Sequence, residues 1–383
     1  MQNRIAKVIG DYDAQGIHRT GSRGDQECAR WLFGEALATG AEADLEGMAF
    51  RRIDTERCFV DVEGEIIDGV PLFDSPLSLA EGVFGVLGEG GDPRAGIGFL
   101  AIPPGSAGGE DFHAYRRRTD HIGIVAVTGG ERWNVPPGLA LCNAESYNQP
   151  YGPTTIQVPT RGMPLLQGAA ERRVLVRLVN SGVRTAVEVH NTVARIGGTD
   201  PELAPLVVMT PRSGWWECAS ERGGGIAVWL EMMRAVAASS PARSSEWVAS
   251  TGHELGHYGL DHYIERRSDL IGEAHAWIHL GANFGAAVGP NMLFQASHDE
   301  LRSMGVKALD AVGITPARET PVGERPLGEA RNVFDGGGRY VSILGGNGLF
   351  HHPDDRWPDA VDLETTTAVA LAFSRLALNL TRA

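Results

Sequence analysis

The stretch S-E-W-V-A-S-T-G-H-E-L-G-H-Y-G-L-D-H-Y, Ser245–Tyr263, decides how the rest of the chain is read, because it gathers His253, Glu254, His257 and His262 within ten residues. In isolation it matches H-E-x-x-H, in which two histidines one helical turn apart bind zinc and the intervening glutamate acts as base. The longer H-E-x-x-H-x-x-G-x-x-H form fails, since Gly259 and His262 each come one residue early. One residue is a rotation of about 100° on a helix, so His262 would point away from a shared ion. The local pattern also disagrees: Glu246–Thr251 alternates like a strand, and Gly252 breaks it just before His253. His253 and Glu254 therefore belong to a strand end and a helix start, not to the interior of a zinc-protease helix.

Working outward, the flanking segments alternate strand and helix. A-V-E-V-H-N-T-V-A-R-I and the buried-type run L-V-V-M-T precede a glycine-flanked helix over Gly223–Ala238, with Ile226, Trp229, Leu230, Met233 and Val236 on one face. Strand, crossover helix and strand in this order imply parallel pairing. A-W-I-H-L-G-A and R-Y-V-S-I-L-G-G add strands, and Thr365–Leu380 a closing helix. The expected class is α/β, a doubly wound, mixed but mostly parallel sheet flanked by helices, with chemistry at the C-terminal strand ends.

The N-terminal part carries helical spacing over Gln26–Ala38, with Asp25 as the expected N-cap and His18 in a solvated entry loop. Between them, residues 59–185 change texture to short β-like runs punctuated by Gly and Pro, among them A-G-I-G-F-L-A-I-P-P-G and H-I-G-I-V-A-V-T-G-G. The expected organisation is one α/β domain from residues 1–58 and 186–383, interrupted by a small β-rich insert, 59–185.

Composition limits the partners. With 34 basic and 48 acidic residues the net charge is -14, which disfavours nucleic acid and anionic membranes and favours a small-molecule or peptide-like substrate. The four cysteines are scattered without a C-x-x-C pair. The start of the chain has neither a long apolar run nor a small-residue cleavage site, and no window approaches the roughly 18 apolar residues of a membrane span. The expectation is a cytoplasmic enzyme, with homo-oligomers allowed.

With these elements placed, the chain resembles metallopeptidase family 28, the co-catalytic zinc aminopeptidase and carboxypeptidase group, including members with a protease-associated β-rich insert. N-T-V-A-R-I-G-G-T-D-P-E-L-A-P-L-V-V, G-G-I-A-V-W-L-E-M-M-R-A-V, T-G-H-E-L-G-H-Y-G-L and F-H-H-P-D-D-R-W-P-D-A-V-D carry the resemblance. It implies five ligands for two zinc ions, and the chain departs from that set selectively. Thr210, Pro211 and Arg212 stand where H-x-D is expected, and Gly281 stands where an aspartate is expected. Both losses fall on one metal.

The resemblance implies that the other metal keeps Glu221, Glu254 and His351, with Glu217 and His352 as competing candidates beside the first and last. Two carboxylates and one imidazole would suit one divalent ion, zinc above all, with iron or manganese also compatible. His253 occupies the position of the general base. Arg212 stands ready to hold a substrate anion, Trp215 and Trp216 to wall an apolar pocket, and His257 and His279 to line the site. The implied activity is single-metal hydrolysis of an amide or related C–N bond. Lyase, cyclase or transferase chemistry on the same metal, as in the one-zinc glutaminyl cyclases that share the resemblance, is the alternative, and so is a non-catalytic binding protein on a retired peptidase fold.

Overall fold

The computed structural model describes residues 1–103, 109–129 and 136–382; the ends of two runs expected as strands, at 104, 105 and 130, lie outside them. The strands are β1 (Glu42–Val62), β2 (Glu65–Asp68), β3 (Val70–Pro71), β4 (Val83–Glu89), β5 (Ile97–Ile102), β6 (Gly123–Thr128), β7 (Thr154–Val158), β8 (Leu175–Ile196), β9 (Leu206–Pro211), β10 (Ser245–Ser250), β11 (Ala276–Leu280), β12 (Asn291–Ala296), β13 (Arg318–Glu319) and β14 (Tyr340–Gly346). The helices are α1 (Gln2–Asp13), α2 (Arg23–Leu37), α3 (Gly109–Arg118), α4 (Met163–Glu171), α5 (Gly224–Ala237), α6 (Tyr258–Glu265), α7 (Leu270–Glu273), α8 (Asp299–Asp310), α9 (Ala330–Asp335) and α10 (Leu363–Leu380).

The unbroken apolar run of β9 is buried on both faces, as a central parallel strand requires. Leu206 and Val208 join a core with α1, α2, α5, α8 and α10, while Val207 and Met209 face a second core with α6, α7 and α9. Helices on both faces make the sheet doubly wound. Strands β14, β11, β9 and β10 run parallel, and β12 and β8 flank them antiparallel. Trp229 of α5 meets Trp247 of β10 edge to face at 5.9 Å between ring centroids, both fully buried. Each such ring removes about 150–250 Å² from water, worth several kcal/mol at about 25 cal/mol per Å² before entropic costs.

Strands β1 and β8 pair antiparallel along most of their length, from Glu42↔Arg195 to Val62↔Val176. The boundaries expected at 58/59 and 185/186 fall inside these two strands, so no linker separates insert from core. Beyond them β4 pairs with β8, and β5, β6 and β7 follow in parallel around a separate apolar cluster that includes Val125, Val127, Ile156 and Leu166. Helices α3 and α4 belong to this region, which is therefore less purely β than its composition suggests.

Two local expectations are corrected. Ser22, not Asp25, caps α2, its hydroxyl accepting from the Asp25 N–H at 3.2 Å. His18 is not solvated: it is fully buried and stacked on Tyr12 at 3.8 Å, and burial pushes its pKa down to about 3. Its backbone bonds to Trp216 and Gly214 explain the burial, because they tie the entry loop to the segment after β9. Among the described residues no helix is long and apolar enough to cross a membrane.

Candidate functional site

The C-terminal ends of β9 and β10 turn into the segments that carry the chemistry. After β10 the chain reverses at Gly252, whose φ of +74 would place any Cβ 2.7 Å from that of Tyr258. His253–Leu255 then forms a single 3-10 turn, and α6 starts only at Tyr258. The strand-end reading of this stretch holds, and the zinc-protease helix does not form. After β9, Cys218 adopts a left-handed conformation and Ala219–Gly223 makes one π-type turn before α5. The Asp355 carboxylate fixes that turn by accepting from the Ser220 and Glu221 N–H groups at 2.9 and 3.0 Å.

Glu221, Glu254 and His351 approach one another, all buried, but they do so around a side chain that motif reasoning missed. Arg222 Nη2 lies 2.7 Å from Glu221 Oε1 and donates to Glu254 Oε1 at 3.0 Å, while its Nε donates to the Ser213 carbonyl at 2.7 Å. Glu254 Oε2 accepts from Ser213 Oγ at 2.9 Å, and that hydroxyl in turn accepts from the Gly252 N–H. His351 Nδ1 donates to the Leu141 carbonyl at 2.7 Å, leaving Nε2 facing Glu221 Oε1 at 3.2 Å.

Charge follows this geometry. Burial alone would raise the Glu221 pKa, yet the neighbouring charges of Arg222 and His351 hold it at about 2. For Glu254 burial outweighs Arg222 and the value is raised. Burial works against the Arg222 cation, and Glu221 and Glu254 together overcome it and raise its pKa. Asp355 is raised to about 7 by burial and then by Glu221.

This donor set does not fit a metal ion as it stands. The guanidinium lies between the two carboxylates, and among the described residues no three His, Cys, Asp or Glu side chains are disposed to hold a metal. The expected competitors lie elsewhere. Glu217 faces Arg356 at 3.4 Å, and His352 accepts from the Asp354 N–H at 3.1 Å.

The residues that the resemblance placed at the second metal's positions are engaged in contacts of their own. Arg212, expected to hold a substrate anion, is fully buried and donates from Nη1 to both Asp25 Oδ1 and the Asp25 carbonyl at 2.8 Å, and from Nη2 to the His190 carbonyl. Thr210 Oγ1 donates to the Leu280 carbonyl at 2.9 Å. His279 is buried with Nδ1 2.9 Å from Ser342 Oγ. Trp215, expected to wall an apolar pocket, stacks on Phe73 at 5.0 Å, and Trp216 Nε1 donates to the His351 carbonyl at 2.9 Å. The insert touches the same residues: the Ala144 N–H donates to the Glu254 carbonyl and the Leu141 N–H to the His351 carbonyl.

His253, expected as base, is the most solvent-accessible member of the group, its side chain 12% exposed. Its Nδ1 is 3.2 Å from Glu329 Oε1, which also accepts from Ser250 Oγ. The ring stacks on His257 at 4.8 Å. His257 is 2.7 Å from Asn332, which reaches Asp261 at 2.7 Å. Burial, reinforced by Arg222, pushes the His253 pKa well below normal; burial, reinforced by His253, brings His257 to about 3. Both rings are neutral at neutral pH. Beyond them a cavity of about 320 Å³ opens between the insert and α6, with Glu145, Gln149, Leu255, Tyr258, Asp261 and Glu265 in its wall.

Strain accompanies the site. Among the described residues, Cys218, His257 and His351 are three of the seven non-glycine residues with positive φ, at 54, 62 and 59. Left-handed backbone at such residues costs of order 1–3 kcal/mol each and tends to gather at present or former functional sites.

No protein-family model and no curated protein sequence matches the chain. Solved structures do. A zinc aminopeptidase of Bacillus subtilis aligns over 100% of this chain and 95% of its own, with a TM-score of 0.81 and 12% identity. A peptidase M28 precursor of Shewanella amazonensis aligns over 100% and 96%, with a TM-score of 0.74 and 14% identity. A Tannerella forsythia glutaminyl cyclase aligns over 99% and 98%, at a TM-score of 0.53 and 11% identity. The chain has the fold of the M28-type peptidases, and likeness at such identity establishes the fold alone.

Proposed function

We propose that on this M28-type fold the chain works without a bound metal, as a binding protein for a small or peptide-like molecule and not as a hydrolase. One observation carries the reading: a buried guanidinium, Arg222, stands between the two carboxylates that a catalytic ion would need. The replacement of the other metal's ligands by Thr210, Arg212 and Gly281 supports it, as does the packing of Trp215, Trp216 and the insert over the centre. A ligand-sized cavity of about 320 Å³ lies between residues 145–149 and α6. The test is an amide-hydrolysis assay against aminoacyl and peptidyl amides, run with added zinc, iron(II) or manganese. The reading expects no turnover above the uncatalysed rate; turnover that disappears in both Glu254→Ala and His351→Ala would overturn it.

A second reading, single-metal hydrolysis or cyclisation, is favoured by one feature. His351 donates from Nδ1 to a backbone carbonyl, which aims Nε2 at Glu221, the arrangement a metal-binding histidine would also use. It requires Arg222 to leave its place between Glu221 and Glu254, and it would use His253, neutral and oriented by Glu329, as the proton acceptor. Product analysis in heavy-oxygen water separates its two branches, since only hydrolysis must incorporate the label.

A further inference from the structure

We infer that the cavity between residues 145–149 and α6 is a subsite for one cationic group, the ammonium or guanidinium of a small or peptide-like ligand. This deepens the binding reading above and rests on it.

The cavity, of about 320 Å³, has walls fixed by contacts made outside it. Tyr147 stacks on Phe50 at 5.2 Å, and Tyr258, at the start of α6, meets the same ring edge to face at 5.3 Å. Tyr147 Oη donates to the Arg51 carbonyl at 2.6 Å and Tyr258 Oη to the Ala49 carbonyl, so both walls are pinned to β1. Gly256, also in the wall, has a φ of +78, and a Cβ there would stand 2.7 Å from the Glu145 carbonyl oxygen. Glycine is what lets the two walls approach so closely. A preformed space of this size is what small-ligand sites use.

The α6 wall offers acceptors that no cation of the chain answers. Asp261 and Glu265 stand one turn apart on the helix. Asp261 Oδ1 accepts from Asn332 Nδ2 at 2.7 Å; among the described residues its Oδ2 has no partner and Glu265 has no ion pair. His262 Nδ1 donates to the Tyr258 carbonyl at 2.9 Å, which leaves Nε2 an acceptor in the neutral ring. The nearby arginines are spent elsewhere. Arg331 faces Glu145 at 3.3 Å, Arg266 donates to the Gly47 carbonyl at 2.7 Å, and Arg267 pairs with Glu46. Burial, then the charges of Glu329 and Glu265, raise the Asp261 pKa to about 6, so its carboxylate sits beside like charges. A cationic group seated there supplies the missing partner, and an anionic one is repelled.

The experiment titrates wild type, Asp261→Asn and Glu265→Gln at neutral pH with N-acetyl-lysine amide, N-acetylarginine amide, their neutral twin N-acetylnorleucine amide, and glutarate. Calorimetry and the thermal midpoint are the readouts. Wild type is expected to bind the two cationic amides and neither control, with an affinity that falls as salt is raised. Loss of one charged partner should weaken that binding about tenfold in Asp261→Asn and about threefold in the more exposed Glu265→Gln. Should Asp261→Asn fail to fold, the loss in Glu265→Gln supports the inference and its absence overturns it. No binding of either cationic amide, equal binding of the neutral twin, or undiminished binding in Asp261→Asn overturns it. The metal-free reading fails on a different measurement, turnover of aminoacyl amides with added metal, and the inference is then still decided by the Asp261→Asn affinity.

Discussion

Two buried arginines, Arg212 and Arg222, stand after the end of β9, and their surroundings are not equivalent. Arg212 has one carboxylate partner, and Asp25 is itself completed by Thr251 Oγ1 at 2.9 Å and the Gly21 N–H at 2.8 Å. Arg212 and Asp25 form a finished ion pair tying α2 to the end of β9. Arg222 faces two carboxylates, Glu221 Oε1 at 2.7 Å and Glu254 Oε1 at 3.0 Å, and His351 Nε2 lies 3.2 Å from the same Glu221 oxygen. The first arginine completes one ion pair; the second is shared between two carboxylates.

Five substitutions would sharpen or break this contrast. Arg222→Ala has the largest expected effect, because it strands two buried carboxylates; loss of one partner from a buried ion pair costs about 3–5 kcal/mol, and chemical denaturation in chelator should show at least that. Arg212→Ala, which strands one carboxylate that keeps two other donors, belongs at or below the lower end of the same range. A larger loss for Arg212→Ala would reverse the contrast.

Glu221→Gln and Glu254→Gln separate the two carboxylates on Arg222. Glu221 is held at about 2 against an ordinary 4.5, so its stabilisation is present above 4.5 and disappears as pH falls toward 2. The Glu254 pKa is raised, by burial above all, so the surroundings favour its charge less than that of Glu221. Glu221→Gln should therefore destabilise more at pH 7, and equal losses would contradict this ordering. The smallest effect is expected at Asp261, whose pKa burial raises to about 6 from 3.8. The adverse term of its buried charge is present above about 6 and vanishes as pH falls toward 3.8. Asp261→Asn should then be neutral or slightly stabilising at pH 7, with no advantage near pH 4.

The fold was legible where the sequence pattern is periodic or unbroken. L-V-V-M-T and A-W-I-H-L are both buried strands, and the alternation before Gly252 marked the strand end that rules out a zinc-protease helix. Glu221, Glu254 and His351 were legible as neighbours through their motifs. Arg222 was not, although it directly follows Glu221: a charged residue ahead of a glycine-flanked helix reads as a solvated helix start. Its direction is set by the single π-type turn and by the Ser213 carbonyl, neither of which has a sequence period. The available signal was a basic residue placed directly after Glu221, an expected ligand position, in a chain that departs from the resemblance's other ligands. Glu329 and Asn332 were missed because they reach the histidines from about seventy-five residues away. His18 was misread because the loop that buries it is polar.

The measurement that bears most directly on the metal-free account is the metal content of wild-type protein prepared with zinc, iron and manganese present and no chelator. The account predicts trace occupancy, with no change in thermal midpoint when a chelator is then added. Near one ion per chain, together with a midpoint that falls on chelation and with loss of that ion in Glu254→Ala, would contradict it.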